Sequence, residues 1–158
     1  MALDQRPLLI KPERLFDATG TTSVADRAVL VKDGRIVAVG ATAAIERLAP
    51  PNAEPIELAG TTLAPGLIDG HTHTSLAGDG QTYAEMFSES DELMVLTGVM
   101  NLRKHLAAGV TTIREHGARN RVGFAIREGL QRGYYGGPRM LVSGRPITRT
   151  GGHFHLCN

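Results

Sequence analysis

The rhythm of hydrophobic and polar positions changes near residue 60. Before it, short apolar runs separated by turn residues predict small β-structure. Ala28 to Val31 and Ile36 to Val39 are β-branched-rich runs joined by Lys32-Asp33-Gly34-Arg35, and Asp-Gly between two such runs signals a tight antiparallel hairpin. Leu8 to Ile10, Glu13 to Phe16 and Glu54 to Leu58 add further strand, Ala41 to Leu48 reads as a short helix, and Pro50-Pro51-Asn52 marks the loop before the last strand.

From Thr61 onward strands alternate with longer helical patterns. Thr61 to Ile68 predicts a short apolar strand, kinked at Pro65-Gly66, with a Gly- and Thr-rich loop from Thr74 to Tyr83. Ser90 is a natural N-cap, with Asp91 and Glu92 in the first turn, and Leu93, Leu96, Met100 and Leu106 form the expected buried stripe of a helix that Gly109 stops. Val110 to Ile113 is the next strand. Asn120 is expected to cap a second helix carrying Val122, Ile126 and Leu130, stopped near Gly133, and Met140 to Val142 is a third strand. Strands joined by connections of this length pair in parallel through right-handed crossovers. In parallel β/α folds ligands bind at the C-terminal strand ends, where His71, His73, Arg114, Glu115 and the segment after Val142 fall.

Composition narrows the function classes. The 158 residues are 42% hydrophobic and 21% charged, the profile of a globular protein with a sizeable core. Seventeen basic against sixteen acidic side chains leave no electrostatic footprint for nucleic acid or an anionic membrane, so a small-molecule substrate is expected. The N-terminal M-A-L-D-Q-R-P-L-L-I-K holds an apolar run of only three residues, too short for a signal-peptide core or a membrane span, and a cytoplasmic location is expected. The single cysteine, Cys157, cannot form an intrachain disulfide, and only the nearby His155 speaks for it as a nucleophile.

The chemistry concentrates in P-G-L-I-D-G-H-T-H, Pro65 to His73. Side chains two apart on an extended segment share a side, so His71 and His73 can converge on one divalent ion. Two imidazoles are half a site at most, since a catalytic metal needs further ligands and an open position. Asp69 is read either as an orienter of one imidazole or as a structural loop carboxylate. His153, after Gly151-Gly152, is a candidate substrate or transition-state contact, or an ordinary loop histidine. Its i, i+2 spacing with His155 offers a weaker second metal pair. Arg114 pairs with a substrate carboxylate or, as the favoured reading, with Glu115 and its neighbours. Arg145 and Arg149 are carboxylate binders or solvated, His105 is expected on the surface, and His116 is a pocket residue or a loop cap.

These motifs resemble the metal-dependent amidohydrolase superfamily. L-A-P-G-L-I-D-G-H-T-H at Leu63 to His73 follows a β-rich stretch, G-V-T-T-I-R-E at Gly109 to Glu115 is similar to the second barrel strand, and G-P-R-M-L-V-S-G-R-P-I-T-R-T-G-G-H at Gly137 to His153 resembles strand three of the imidazolonepropionase-like and Xaa-Pro dipeptidase-like branch. The resemblance implies an α/β fold, the N-terminal part of a (β/α)8 TIM-like barrel of about three strands (residues 61–158), preceded by a small β-sandwich segment (residues 1–60). It implies one or two divalent ions, zinc foremost, with His71 and His73 as strand-one ligands and further histidines, an aspartate and often a carboxylated lysine from later strands.

The chain departs from that pattern. A full barrel needs about 250 residues, and Lys11, Lys32 and Lys104 all lie away from the predicted barrel-strand ends. Glu115-His116 stands where many relatives of the branch have Asp and then a small or apolar residue, leaving open whether Glu115 takes that role. The expectation is a piece of a C–N bond hydrolase that uses metal-activated water, dipeptidase-like first, inactive alone, its partner the rest of a barrel or a second copy. Imidazolone ring opening, carbamate or urea hydrolysis and deamination are the alternatives within the superfamily. A non-catalytic fragment that needs a partner chain is the rival from outside it.

Overall fold

A computed structural model describes residues 6–155 and divides the chain into two compact units, Met1–Pro65 and Gly66–Asn158. In the first unit β1 (Leu8–Leu15), β2 (Val24–Ala25), β3 (Ala28–Lys32), β4 (Arg35–Gly40) and β5 (Glu54–Leu63) build one five-stranded sheet. β1 runs antiparallel to β3 and parallel to β5. The β3–β4 connection holds both Asp33 and Gly34 at positive φ (52° and 69°), the left-handed pair that a two-residue hairpin turn requires. Helix α1 (Thr42–Leu48) buries Ile45 against Leu9, Ala28 and Leu30.

Two strand expectations change here. The runs predicted on either side of Pro12 are one strand, and a register shift between Pro12 and Arg14 accommodates the residue without an N–H. Thr61–Leu63 does not open the strand that leads to the histidines. Thr62 and Leu63 instead pair with Arg14 and Leu15, and the Phe16 N–H donates to the Leu63 carbonyl at 2.8 Å, so this segment completes β5.

In the second unit β6 (Leu67–Thr72), β7 (Val110–Glu115) and β8 (Arg139–Val142) form a parallel sheet in that order. Between β6 and β7 the chain makes α2 (Tyr83–Ser88) and α3 (Asp91–Ala107), and between β7 and β8 it makes α4 (Val122–Gln131). These are the opening strands and helices of a TIM-like barrel. Helix α2 was not expected, although its start is written as Thr82-x-x-Glu85. The Glu85 amide donates to the Thr82 hydroxyl (3.3 Å) and the Thr82 amide to the Glu85 carboxylate (2.8 Å), the reciprocal capping box. Ser90 caps α3 as predicted, accepting from the Leu93 N–H at 3.3 Å.

The buried face of α3 is not the predicted stripe. Met94, Gly98, Asn101 and Leu102 are buried, whereas Leu93 (47%), Leu96 (65%), Met100 (46%) and Leu106 (41%) are exposed. Apolar residues lie on more than one side of this helix, so periodicity allows two faces. Close approach to α4 selects the one containing Gly98: a Cβ built there would lie 2.3 Å from Ile126 Cδ1. Asn120 also departs from expectation. Its φ of 49° is not the extended conformation of an N-cap, and its side-chain amide donates to Asp91 Oδ2 at 2.9 Å. Arg121 is the N-cap residue, and its side chain makes no capping hydrogen bond.

Met94, Leu102, Ile113, Ala118, Val122, Ile126 and Met140 form the core between the helices and the sheet. Full burial of each large side chain contributes about 1.5–3 kcal/mol. Glu115 is the exception within this core. It has no exposed surface, and its Oε2 faces Gly123 of α4, where a Cβ would sit 3.1 Å away. Neither carboxylate oxygen makes a hydrogen bond of normal geometry. Burial pushes its pKa up to about 7, opposed in part by the nearby Gly117 amide, and no charged side chain contributes to the shift. The polar strand end is thus neutral in slightly acidic solution.

Two expected outcomes follow from this packing. Gly98→Ala gains about 1 kcal/mol of helix propensity but forces Ile126 to move at an overpacking cost of about 1–3 kcal/mol. Its urea midpoint should fall, and a midpoint at or above the parent's would refute the close-approach argument. For Glu115, the fold keeps the proton up to about pH 7 while the unfolded chain releases it near the ordinary glutamate value of 4.5. The folded state binds more protons in that window, so stability drops as pH rises through it. At 1.36 kcal/mol per unit the loss is about 3 kcal/mol at most. Glu115→Gln should therefore match the parent near pH 4.5 and exceed it at pH 8, read from urea unfolding at the two pH values. Identical pH dependence in both proteins would remove the buried-acid account.

Candidate metal centre

The end of β6 is irregular, and that irregularity places the histidines. Register against β7 shifts between Asp69 and Thr72, so Gly70 and His71 bulge from the ladder. The His71 N–H donates to Asp69 Oδ1 at 3.0 Å. Asp69, within β6, therefore holds the backbone of the histidine two residues on. Thr72 is buried and returns the strand to register, its hydroxyl donating to the Arg114 carbonyl (3.3 Å) and its own carbonyl accepting the His116 N–H (2.9 Å).

His73 follows at the strand terminus, half-buried, with Nδ1 3.3 Å from the Gly117 carbonyl. A carbonyl only accepts, so Nδ1 carries the proton and the Nε2 lone pair is left for another partner. Burial holds the His73 pKa below the ordinary imidazole range against the opposing pull of Gly117 O, and His71 and His153 add to the lowering. The ring is therefore neutral at physiological pH, as ligation requires.

The two rings lie edge to face, with centroids 5.3 Å apart at 77°. A zinc–nitrogen bond of about 2.0–2.1 Å, plus about 1.1 Å from nitrogen to ring centre, puts an ion about 3.2 Å from each centroid. Two rings at a tetrahedral angle around that ion then have centroids about 5.2 Å apart. The observed separation is of the size that two ligands on one tetrahedral ion require. Among the described residues no third His, Cys, Asp or Glu joins them in a metal-holding group.

Other side chains gather around the pair. His116 stacks on His71 with centroids 4.4 Å apart at 10°. The loop after β8 lays Phe154 over His73 (5.1 Å) and stands the exposed His153 on edge against Phe154 (4.6 Å), bringing a third strand end to the first. Asn101, buried on α3, donates to the Thr74 and Leu76 carbonyls at 2.9 and 2.8 Å and fixes the segment leaving His73. A cavity of about 280 Å³ opens between that segment and α3, lined in part by His71, His73, Asn101, Lys104 and His105. His105 is thus half-buried at the cavity, with Nδ1 2.9 Å from the Asn101 carbonyl, instead of lying on the open surface.

The remaining candidates behave differently from the sequence reading. Arg114 does not pair with Glu115, because adjacent strand residues point to opposite faces; its Nε donates to the Gly70 carbonyl at 2.8 Å and braces the bulge. Glu115 faces α4, away from the imidazoles. His155 turns onto the Gly152 carbonyl within its own turn (Nδ1 to O, 2.8 Å). Arg145 and Arg149 are exposed, and Cys157 lies outside the described residues. Asn101 is the residue that sequence reasoning missed, and His116, read there as a pocket residue or a loop cap, lies against His71. The available signal for Asn101 was a polar residue on a helix face shared with Met94, Gly98 and Leu102.

Comparison with known proteins agrees with this arrangement. The amidohydrolase family profile matches residues 62–156. The imidazolonepropionase of Mesorhizobium japonicum is 30% identical over 146 residues, covering 77% of this chain and 34% of that protein. Among solved structures, molinate hydrolase superposes with a TM-score of 0.78 at 26% identity, over 92% of this chain and 31% of that one. A prolidase complexed with N-methylphosphonate-L-proline gives 0.77 at 25% identity, over 94% and 34%. The chain spans about a third of the length of these relatives. With the metal-compatible histidine pair at the end of its first parallel strand and the profile match running through all three, the chain belongs to the amidohydrolase family.

Proposed function

We propose that this chain supplies the first metal-binding strand end of a hydrolase acting on C–N bonds of the amide or peptide type. The observation that carries the reading is the His71–His73 geometry, whose centroid separation suits two ligands on one tetrahedral ion. Imidazole donors and a partly buried site favour zinc. When bound, such an ion supplies activated water and polarises a scissile carbonyl.

The chain's own residues prepare that chemistry. Gly117 fixes the His73 tautomer. Arg114 and Asp69 hold the bulge that exposes His71. In this reading His153, which meets Phe154 beside His73, contacts a substrate oxygen, and Arg114 contacts the carboxylate of a substrate that reaches the bulge; the ring contacts through Phe154 support the first role. The remaining ligands and the proton-shuttling base belong, in this reading, to further strands of the family's barrel.

A dipeptide-like substrate is favoured by the likeness to the prolidase structure. Cyclic amide opening is the second reading, and the imidazolonepropionase relative favours it. Both are small molecules. No helix among the described residues is long and apolar enough to cross a membrane.

Zinc retained after dialysis, measured by elemental analysis, tests the ligand assignment. His71→Ala and His73→Ala should each weaken zinc binding at least tenfold, because one remaining imidazole cannot chelate. His155→Ala should leave it unchanged. Retention equal to the parent in both ligand variants would rule the assignment out. Hydrolysis of Xaa-Pro dipeptides against imidazolone substrates, assayed on a chain completed with the family's later strands, separates the two substrate readings.

A further inference from the structure

Metal-ligating histidines are ordinarily oriented through the nitrogen that does not bind the ion, by a carbonyl or a carboxylate. His73 has such a partner in Gly117 O. His71 has a different support. The contacts shown for its ring are to other rings: edge to face with His73 and face to face with His116. Its fixed hydrogen bond is through the backbone, from N–H to Asp69. Since Gly70 and His71 bulge out of the ladder, strand geometry alone does not fix where the His71 ring points.

His116 is well placed to set that direction. Its backbone N–H is tied to the Thr72 carbonyl between the two histidines, at 2.9 Å, and its ring is half-buried. Its Nε2 is fully enclosed and makes no hydrogen bond. A buried nitrogen without a partner carries a desolvation cost, so the ring is not held there by hydrogen bonding at that atom. The ring is also hydrogen-bonded to the backbone of Gly70 in the bulge, and from there it presents its face to His71.

His116 is not a third ligand alongside His71 in this arrangement. An imidazole binds through a lone pair in its own plane, and two rings 10° from parallel and 4.4 Å apart have no common in-plane point for an ion. The ring planes of His71 and His73, at 77°, cross, which leaves such a point open to them.

We infer that His116 is a positioning residue: its ring face holds the His71 imidazole in the orientation that lets it share a divalent ion with His73. This rests on the reading of His71 and His73 as a metal pair. A flat ring at 116 is what matters, so phenylalanine should replace it and alanine should not.

Cobalt(II) serves as the probe, titrated into the chain and followed by its visible absorption, with His116→Ala, His116→Phe and His71→Ala compared to the parent. His116→Ala should bind cobalt about 10–100-fold more weakly, the range for losing a group that supports a ligand. His116→Phe should stay within about threefold of the parent, because the stacking face is kept. Proton NMR of the metal-free proteins gives a second readout. The His71 ring protons should be shifted upfield by the facing ring in the parent and in His116→Phe, and should lose that shift in His116→Ala. Cobalt affinity equal to the parent in His116→Ala overturns the inference, as does equal weakening in the Phe and Ala variants. Parent-like binding in His71→Ala overturns the metal-pair reading itself, and the inference with it.

Discussion

A single backbone hydrogen bond, from the His116 N–H to the Thr72 carbonyl at 2.9 Å, closes the β6–β7 ladder beyond its irregular stretch. Upstream of it Asp69 pairs with Ile113 and downstream Thr72 pairs with Glu115, which leaves two residues on β6 with one opposite them on β7. The surplus is Gly70-His71. Without re-closure at Thr72 the extra residue would fray the strand end. With it, the bulge becomes a fixed platform, and bulges of this kind redirect side chains at functional strand ends. His71 leaves the strand at an angle that regular pleating would not give, His73 meets the Gly117 carbonyl, and the loop after β8 has a fixed surface on which to lay Phe154.

How much of this was legible in the sequence depends on the range of the interactions. The β3–β4 hairpin, α1, the Ser90 cap and the stops at Gly109 and Gly133 are set by neighbours within four residues, and each was written in local residue types. The order β6-β7-β8 followed from the strand and helix lengths. What escaped was decided at a distance. The exposed and buried faces of α3 are equally periodic, and only contact between Gly98 and Ile126, 28 positions apart, separates them. Thr62 and Leu63 look like the start of an apolar strand until Arg14 and Leu15 claim their backbone groups.

The site divides along the same line. His71 and His73 were readable because i, i+2 spacing at a strand end is local. Their mutual angle was not, since it depends on the bulge. Arg114 looked like a partner for its neighbour Glu115, but consecutive strand residues face opposite sides, and the bulge offered Arg114 the Gly70 carbonyl instead. The sequence left His116 as either a pocket residue or a loop cap, because its stacking against His71 joins residues 45 positions apart. The resemblance to a known family pointed to His71 and His73 as the first strand's expected ligands but gave His116 no role.

Glu115 and His116 can be understood together as one local solution. Successive residues at the end of β7 send one side chain toward α4 and the other toward the imidazoles. Glu115 takes the helix side, where Gly123 leaves just enough room for its carboxyl group and burial keeps it protonated up to about pH 7. A charged carboxylate on the other side, beside His71, would instead compete for the ion or pair with the Arg114 that braces the bulge. Placing the acid in the core and an aromatic ring at the site separates the two demands: the core accepts a polar group that is neutral when protonated, and the site gains a flat surface that does not itself bind metal alongside His71. In the proposed site, the polarity of the strand end and the support of the His71 ring thereby come from adjacent residues pointing opposite ways, a consequence of the two-residue period of a strand.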